Sequence, residues 1–168
     1  MKLTALLLLG ALTMFAAGEF SNRRAPGFSL MDTRLQQHDL QDYKGKVVVI
    51  DFMQTTCPVC NALADTLSTL KTKYGEKLAV LSVVTLPDNF QTADAFSGKH
   101  RAGWPILFDS GQVMMSYLKM RPGGNMDVHF PHVFLVDGNG TIRNDFEGTE
   151  DQKLTAAGLS AEIDKLLK

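Results

Sequence analysis

GKVVVIDFMQTTCPVC, residues 45–60, passes without a break from an apolar stretch into two cysteines separated by two residues. Val47 to Phe52 is nearly continuous and rich in β-branched residues, as in a strand buried on both faces. From Cys60 onward Leu63, Leu67, Leu70 and Tyr74 recur at steps of three and four, which predicts one apolar face of a helix. Gly75 is placed to end it. The cysteine pair therefore belongs at a strand-to-helix junction.

Downstream, KLAVLSVVTL (77–86) predicts a second apolar strand, followed by a helix from about Asn89 to His100 and a strand in WPILFD (104–109). A short helix around Val113 to Met120 and a loop at RPGGNMD (121–127) come next. HVFLVDGNGTIRNDFEG (132–148) reads as a hairpin, with strands Val133–Val136 and Thr141–Phe146 joined through Asp-Gly-Asn-Gly. Leu159, Ile163 and Leu166 share one face of a closing helix. Upstream, FSLMDTRLQQHDL (28–40) reads as a hairpin or extended ribbon. This order predicts an α/β fold: a central mixed sheet flanked by helices, parallel early and antiparallel late, with an N-terminal β extension. Trp104 and the methionines of QVMMSYLKM (112–120) are expected in the core.

The 168 residues, 45% of them hydrophobic, suffice for one domain with a core that needs no cross-links. With 17 Lys and Arg against 18 Asp and Glu, and no basic block, nucleic acid is not an expected partner. MKLTALLLLGALTMFAAGEF (1–20) has one Lys, an apolar run from Leu3 to Ala17 and then small residues, the layout of a secretory signal. We expect a signal peptide over 1–18, cut before Glu19, and a domain over 19–168; an uncleaved membrane anchor is the alternative.

An exported chain with a single cysteine pair is no disulfide-dense scaffold. At a helix start the unpaired N–H groups and the dipole favour negative charge, and a thiol of pKa about 8.5 can fall to roughly 3.5–7.5 there. Cys57 is the expected attacking sulfur. Cys60, one turn further in on the apolar stripe, would resolve the mixed disulfide, and Pro58 fits the first helical turn. The same spacing is also half of a zinc site, for which His129 and His132 of HFPH (129–132) are candidate ligands. A structural disulfide would close too short a loop to gain much. Exchange is favoured, and metal and staple stay open.

GKVVVIDFMQTTCPVC together with FPHVFLVDGNGTI (130–142) resembles the thioredoxin-like superfamily, and within it the extracytoplasmic TlpA-like proteins and the related redoxin (AhpC/TSA) domains. The resemblance runs from about Ala25 to the C-terminus. It implies a thioredoxin-like fold and a cis Pro131 facing the pair. The loop of Phe130, Pro131 and His132 would hold an extended substrate segment beside Cys57, bordered by Thr56 and Pro58, and keep metals from the thiols. It also implies that Asp51, six residues before Cys57, is a buried acid able to take the proton of Cys60.

Three positions depart from the pattern: Thr56 stands where the family usually has Trp, Leu63 where several TlpA-like reductases have an acid, and Gln54 where the peroxidases have Thr. The last disfavours a peroxidase mechanism. Copper-delivery relatives space their cysteines more widely.

The expectation is thus an extracytoplasmic, periplasmic or secreted thiol–disulfide oxidoreductase. It would work as a monomer on cysteine-containing protein substrates, with a redox partner protein and no bound cofactor or metal. The alternatives are a redoxin-type thiol peroxidase and a metal-binding or delivery module using Cys57, Cys60 and His132.

Overall fold

In the computed structural model, which describes residues 18–121, 123–124, 127–148 and 154–168, the segment Val47–Met53 is buried at every position. It is the fourth of eight strands among the described residues: β1 Arg23–Arg24, β2 Ser29–Met31, β3 Gln37–Asp39, β4 Val47–Met53, β5 Leu78–Val84, β6 Ile106–Phe108, β7 His132–Val136 and β8 Thr141–Glu147. The α-helices are α1 Pro58–Tyr74, α2 Phe90–His100, α3 Gln112–Tyr117 and α4 Ala156–Leu166. Apart from Gly18, the expected export signal lies outside the described residues, as does part of the 121–127 loop. Among the described residues no helix is long and apolar enough to cross a membrane.

Six strands form one mixed sheet in the order β1-β8-β7-β4-β5-β6, while β2 and β3 pair separately as the expected N-terminal hairpin. Strand β4 runs parallel to β5 and antiparallel to β7, and β6 extends the parallel side. The alternation of side chains sends Val49 and Met53 to one face, against Cys60, Leu63 and Leu67 of α1, Phe96 of α2 and Ile163 of α4. Val48, Ile50 and Phe52 go to the other, against Phe28, Leu40 and Tyr117. Leu67 is fully buried at the centre of the first cluster, a position where truncation to Ala typically costs about 2–5 kcal/mol. Trp104 and Met114 are core residues, as expected, whereas Met115 and Met120 are only partly buried.

Helix α1 ends at Gly75, whose φ of 55° suits a residue without a side chain. Helix α3 stops earlier than the expected Met120. Lys119 takes a left-handed φ of 51°, and the Met120 N–H returns to the Met115 carbonyl at 2.9 Å, closing the helix end from beyond it. At the β7–β8 turn, the Asp137 carboxylate accepts from the N–H groups of Asn139 (3.0 Å) and Thr141 (2.9 Å) and from Arg143 Nε (2.6 Å). Gly138 packs against the backbone of Gly45, where a Cβ would lie 3.2 Å from its Cα. The hairpin is thereby docked beside the start of β4.

Candidate active site at the β4–α1 junction

Strand β4 ends at Met53 and the chain turns at once: the Cys57 N–H donates to the Gln54 carbonyl at 3.1 Å. Cys57 is the N-cap of α1 and Pro58 its first residue, where a missing N–H costs nothing. The Cys57 sulfur accepts from the Cys60 N–H at 3.2 Å, so one of the otherwise unpaired donors of the helix start is aimed at it. Both thiols are free; Cys57 is half-buried and Cys60 has no exposed surface. Thr56 and Pro58 are exposed on either side of Cys57.

The start of β7, the strand paired antiparallel with β4, lies alongside. The Phe130–Pro131 peptide bond is cis, and the Cys57 thiol donates to the Phe130 carbonyl at 3.7 Å. The structure therefore brings Cys57, Cys60, Phe130 and Pro131 together. It does not bring the His132 side chain to them. His132 alternates with Val133, which lies on the Cys60 face; its own ring stacks on Phe134 at 4.7 Å and meets Phe20 at 5.7 Å on the opposite face. There it sits 3.6 Å from Asp145 and 3.5 Å from Glu147, with 2% of the side chain exposed. Only the backbone of His132 can take part in the loop beside Cys57, and a ligand set of Cys57, Cys60 and His132 is not assembled. Among the described residues no group of three or more His, Cys, Asp or Glu is arranged to hold a metal ion.

Asp51 lies on β4 between Ser82 of β5 and Val133 of β7, under α1, and is 1% exposed. Its Oδ2 accepts from the Ser82 hydroxyl at 3.2 Å, whereas its Oδ1 is buried without a hydrogen-bond partner among the described residues. Burial pushes the carboxyl up to about 7, against the opposing effect of the Ser82 bond. Burial also pushes the Cys60 thiol up, helped by its hydrogen bond with Cys57 and by the nearby Asp51 charge. Cys60 is thus held as a thiol, and a charge on Asp51 opposes its ionisation.

Several supporting residues carried no local signal of their role. The indole N–H of Trp104 donates to Ser82 Oγ at 3.0 Å, so the single hydroxyl proton of Ser82 is left to point at Asp51. The one hint was a serine inside the apolar run LAVLSVV. Asp88, in the β5–α2 loop, accepts from the Thr55 N–H at 3.0 Å, from the Thr55 hydroxyl and from the Thr92 hydroxyl at 2.8 Å. It ties that loop to the turn before Cys57. The Asn61 side chain holds the same turn from the helix side, donating to the carbonyls of Thr55 (3.0 Å) and Cys57 (2.8 Å).

The redoxin family model matches residues 20–163. Thioredoxin-like protein YneN of Bacillus subtilis (strain 168) is 30% identical over 138 residues, 78% of this chain and 74% of that protein. Thiol-disulfide oxidoreductase ResA of Geobacillus kaustophilus is 26% identical over 125 residues, 74% of this chain and 68% of the relative. Among solved structures, a thiol:disulfide interchange protein of the thioredoxin family from Chlorobium tepidum superposes with a TM-score of 0.72 at 17% identity. That alignment covers 87% of this chain and 97% of the other.

Proposed function

The chain belongs to the redoxin family, and from that premise we propose that it is a thiol–disulfide oxidoreductase in which Cys57 exchanges with the disulfides of protein substrates. The observation that carries this reading is the half-buried Cys57 sulfur, held by the Cys60 N–H beside the Phe130 carbonyl. The kinship with thiol–disulfide oxidoreductases supports it.

In the reducing direction, the Cys57 thiolate attacks one sulfur of the substrate disulfide. A new S–S bond forms and the other substrate sulfur leaves as a thiolate. Cys60 then gives up its proton to Asp51 and attacks the Cys57 sulfur. The intermolecular S–S bond breaks, the second substrate thiolate departs, and Asp51 supplies a proton to it. Two electrons have passed from the pair to the substrate, and the oxidising direction is the reverse. The orphaned Oδ1 of Asp51 is the natural acceptor, because a proton there relieves a buried charge with only one hydrogen bond.

An extended substrate segment would lie along the exposed Thr56 and Pro58 that flank Cys57 and the half-buried Phe130 beside it, while Pro131 itself is buried. Residues 1–18 have the composition of an export signal, which supports an extracytoplasmic place of work. The test is the rate of exchange with insulin or glutathione disulfide for the wild type and Cys57→Ser. We expect the variant to fall to background, and equal rates would sink the proposal.

A further inference from the structure

His100 is the last residue of α2, and its side chain is only 5% exposed. Its Nδ1 lies 2.9 Å from Asp65 Oδ1 and its Nε2 lies 2.8 Å from Asn61 Oδ1. Asn61 cannot be turned round, because its Nδ2 already donates to two carbonyls, those of Thr55 and Cys57. The opposite orientation would set its oxygen against both of them and its amide hydrogens against Lys99 Nζ, which lies 2.7 Å from Oδ1. Asp65 is well exposed, and its ionised carboxylate can only accept. Both nitrogens of the imidazole therefore face acceptors, and making both bonds needs a proton on each. The C-terminal end of a helix is a favourable place for that positive charge.

We propose that His100, held by Asp65, is a positioning residue for the attacking cysteine: acting through Asn61 it fixes the Cys57 carbonyl, and it does so fully only as the imidazolium. The inference rests on Cys57 being the attacking sulfur. The chain of contacts is Asp65, His100, Asn61, Cys57, with the Asn61 backbone N–H also donating to the Cys57 carbonyl at 3.1 Å. Among the described residues, Asp65 and Asn61 from α1 face the ring, Lys99 of its own helix shares the Asn61 oxygen with it, and Phe96 covers it at 4.5 Å. From β6, the neighbouring strand, only apolar residues are offered.

Loss of one proton leaves the ring a single donor, so one of the two bonds must be given up. The ionised Asp65 is the stronger acceptor and keeps the remaining proton, so the Asn61 oxygen is then held by Lys99 alone, a flexible side chain on the surface. The turn that aims the Cys60 N–H at the Cys57 sulfur loosens, and the thiolate is less well stabilised.

The experiment is the rate of iodoacetamide alkylation of Cys57 in the reduced full-length protein, followed by mass spectrometry across the range where histidines titrate, roughly pH 5–8. Wild type should react about three- to tenfold faster than His100→Gln near the acidic end, the factor that one hydrogen bond is worth. The gap should close toward the alkaline end, and Asp65→Asn should behave in the same way. In an Asn61→Ala background the His100→Gln change should have no further effect, since the route is cut. In the unaltered protein, 15N correlation spectra at the acidic end should show protons on both ring nitrogens of His100, a readout that needs no variant. Superimposable pH profiles for wild type and His100→Gln, or a ring with one proton throughout, would overturn the inference and leave exchange at Cys57 standing. An unreactive Cys57 in the wild type would sink the exchange function itself, and the positioning role with it.

Discussion

Asp51 and Asp137 are both buried carboxylates attached to the same sheet, 1% and 8% exposed, yet their surroundings move them in opposite directions. At the β7–β8 turn burial works against the charge of Asp137, but the N–H of Thr141, the Arg143 side chain and the N–H of Asn139 outweigh it and hold the carboxyl below the usual range. At the centre of the sheet Asp51 has, among the described residues, only the Ser82 hydroxyl, and burial carries it up to about 7. Depth alone does not decide the charge of a carboxylate; the number of donors aimed at it does. Asp137 is thereby a structural anchor of the hairpin, while Asp51 is poised to exchange a proton near neutral pH.

Asp51→Asn should have the largest effect. A carboxyl raised in the folded state binds more protons there than in the unfolded chain, so its stabilising effect is present at low pH and is lost as pH rises through about 7. Urea unfolding of the two proteins should therefore show wild type losing roughly 3–5 kcal/mol relative to the variant between pH 4 and pH 8. A difference that stays constant with pH would show that Asp51 is not raised.

For Asp137→Ala the sign reverses. The variant should be less stable by about 1–3 kcal/mol near neutral pH. The difference should shrink as pH falls below the ordinary carboxylate range and through the lowered value in the fold.

Ser82→Ala sharpens the contrast by removing the one donor to Asp51. The protonated-carboxyl infrared band of Asp51 should then persist to higher pH than in the wild type, and an unchanged or lowered midpoint would contradict the account. Thr56→Trp touches neither carboxylate. On the exposed rim it should change stability by less than about 0.5 kcal/mol and alter mainly the KM for protein substrates.

Much of this could be seen in the linear chain because it is local. A β-branched run, two cysteines and an apolar stripe at helical spacing place Cys57 and Cys60 within sixteen residues of Gly45. Cys60 lies on the buried side because it shares the stripe of Leu63 and Leu67. What depends on register was not legible. Ser82 faces Asp51 only because β4 and β5 pair in parallel with those residues opposite, and nothing near either residue specifies that alignment. His132 illustrates the same limit: one residue of strand alternation separates a side chain that meets the cysteines from one that stacks on Phe134. Asn61, His100 and Asp88 acquire their roles through contacts between α1, α2 and the loop before α2, so no spacing along the chain announces them. The early end of α3 turns on a single left-handed residue, Lys119, where the sequence has no glycine to mark the stop.

The division of labour between an accessible Cys57 and a shielded Cys60 is tested most directly by trapping. Incubated with a disulfide-bonded protein substrate, Cys60→Ser should accumulate a mixed disulfide through Cys57, while Cys57→Ser should trap none, because the remaining sulfur is wholly buried. Equal trapping by the two variants, or trapping through Cys60 alone, would contradict the account.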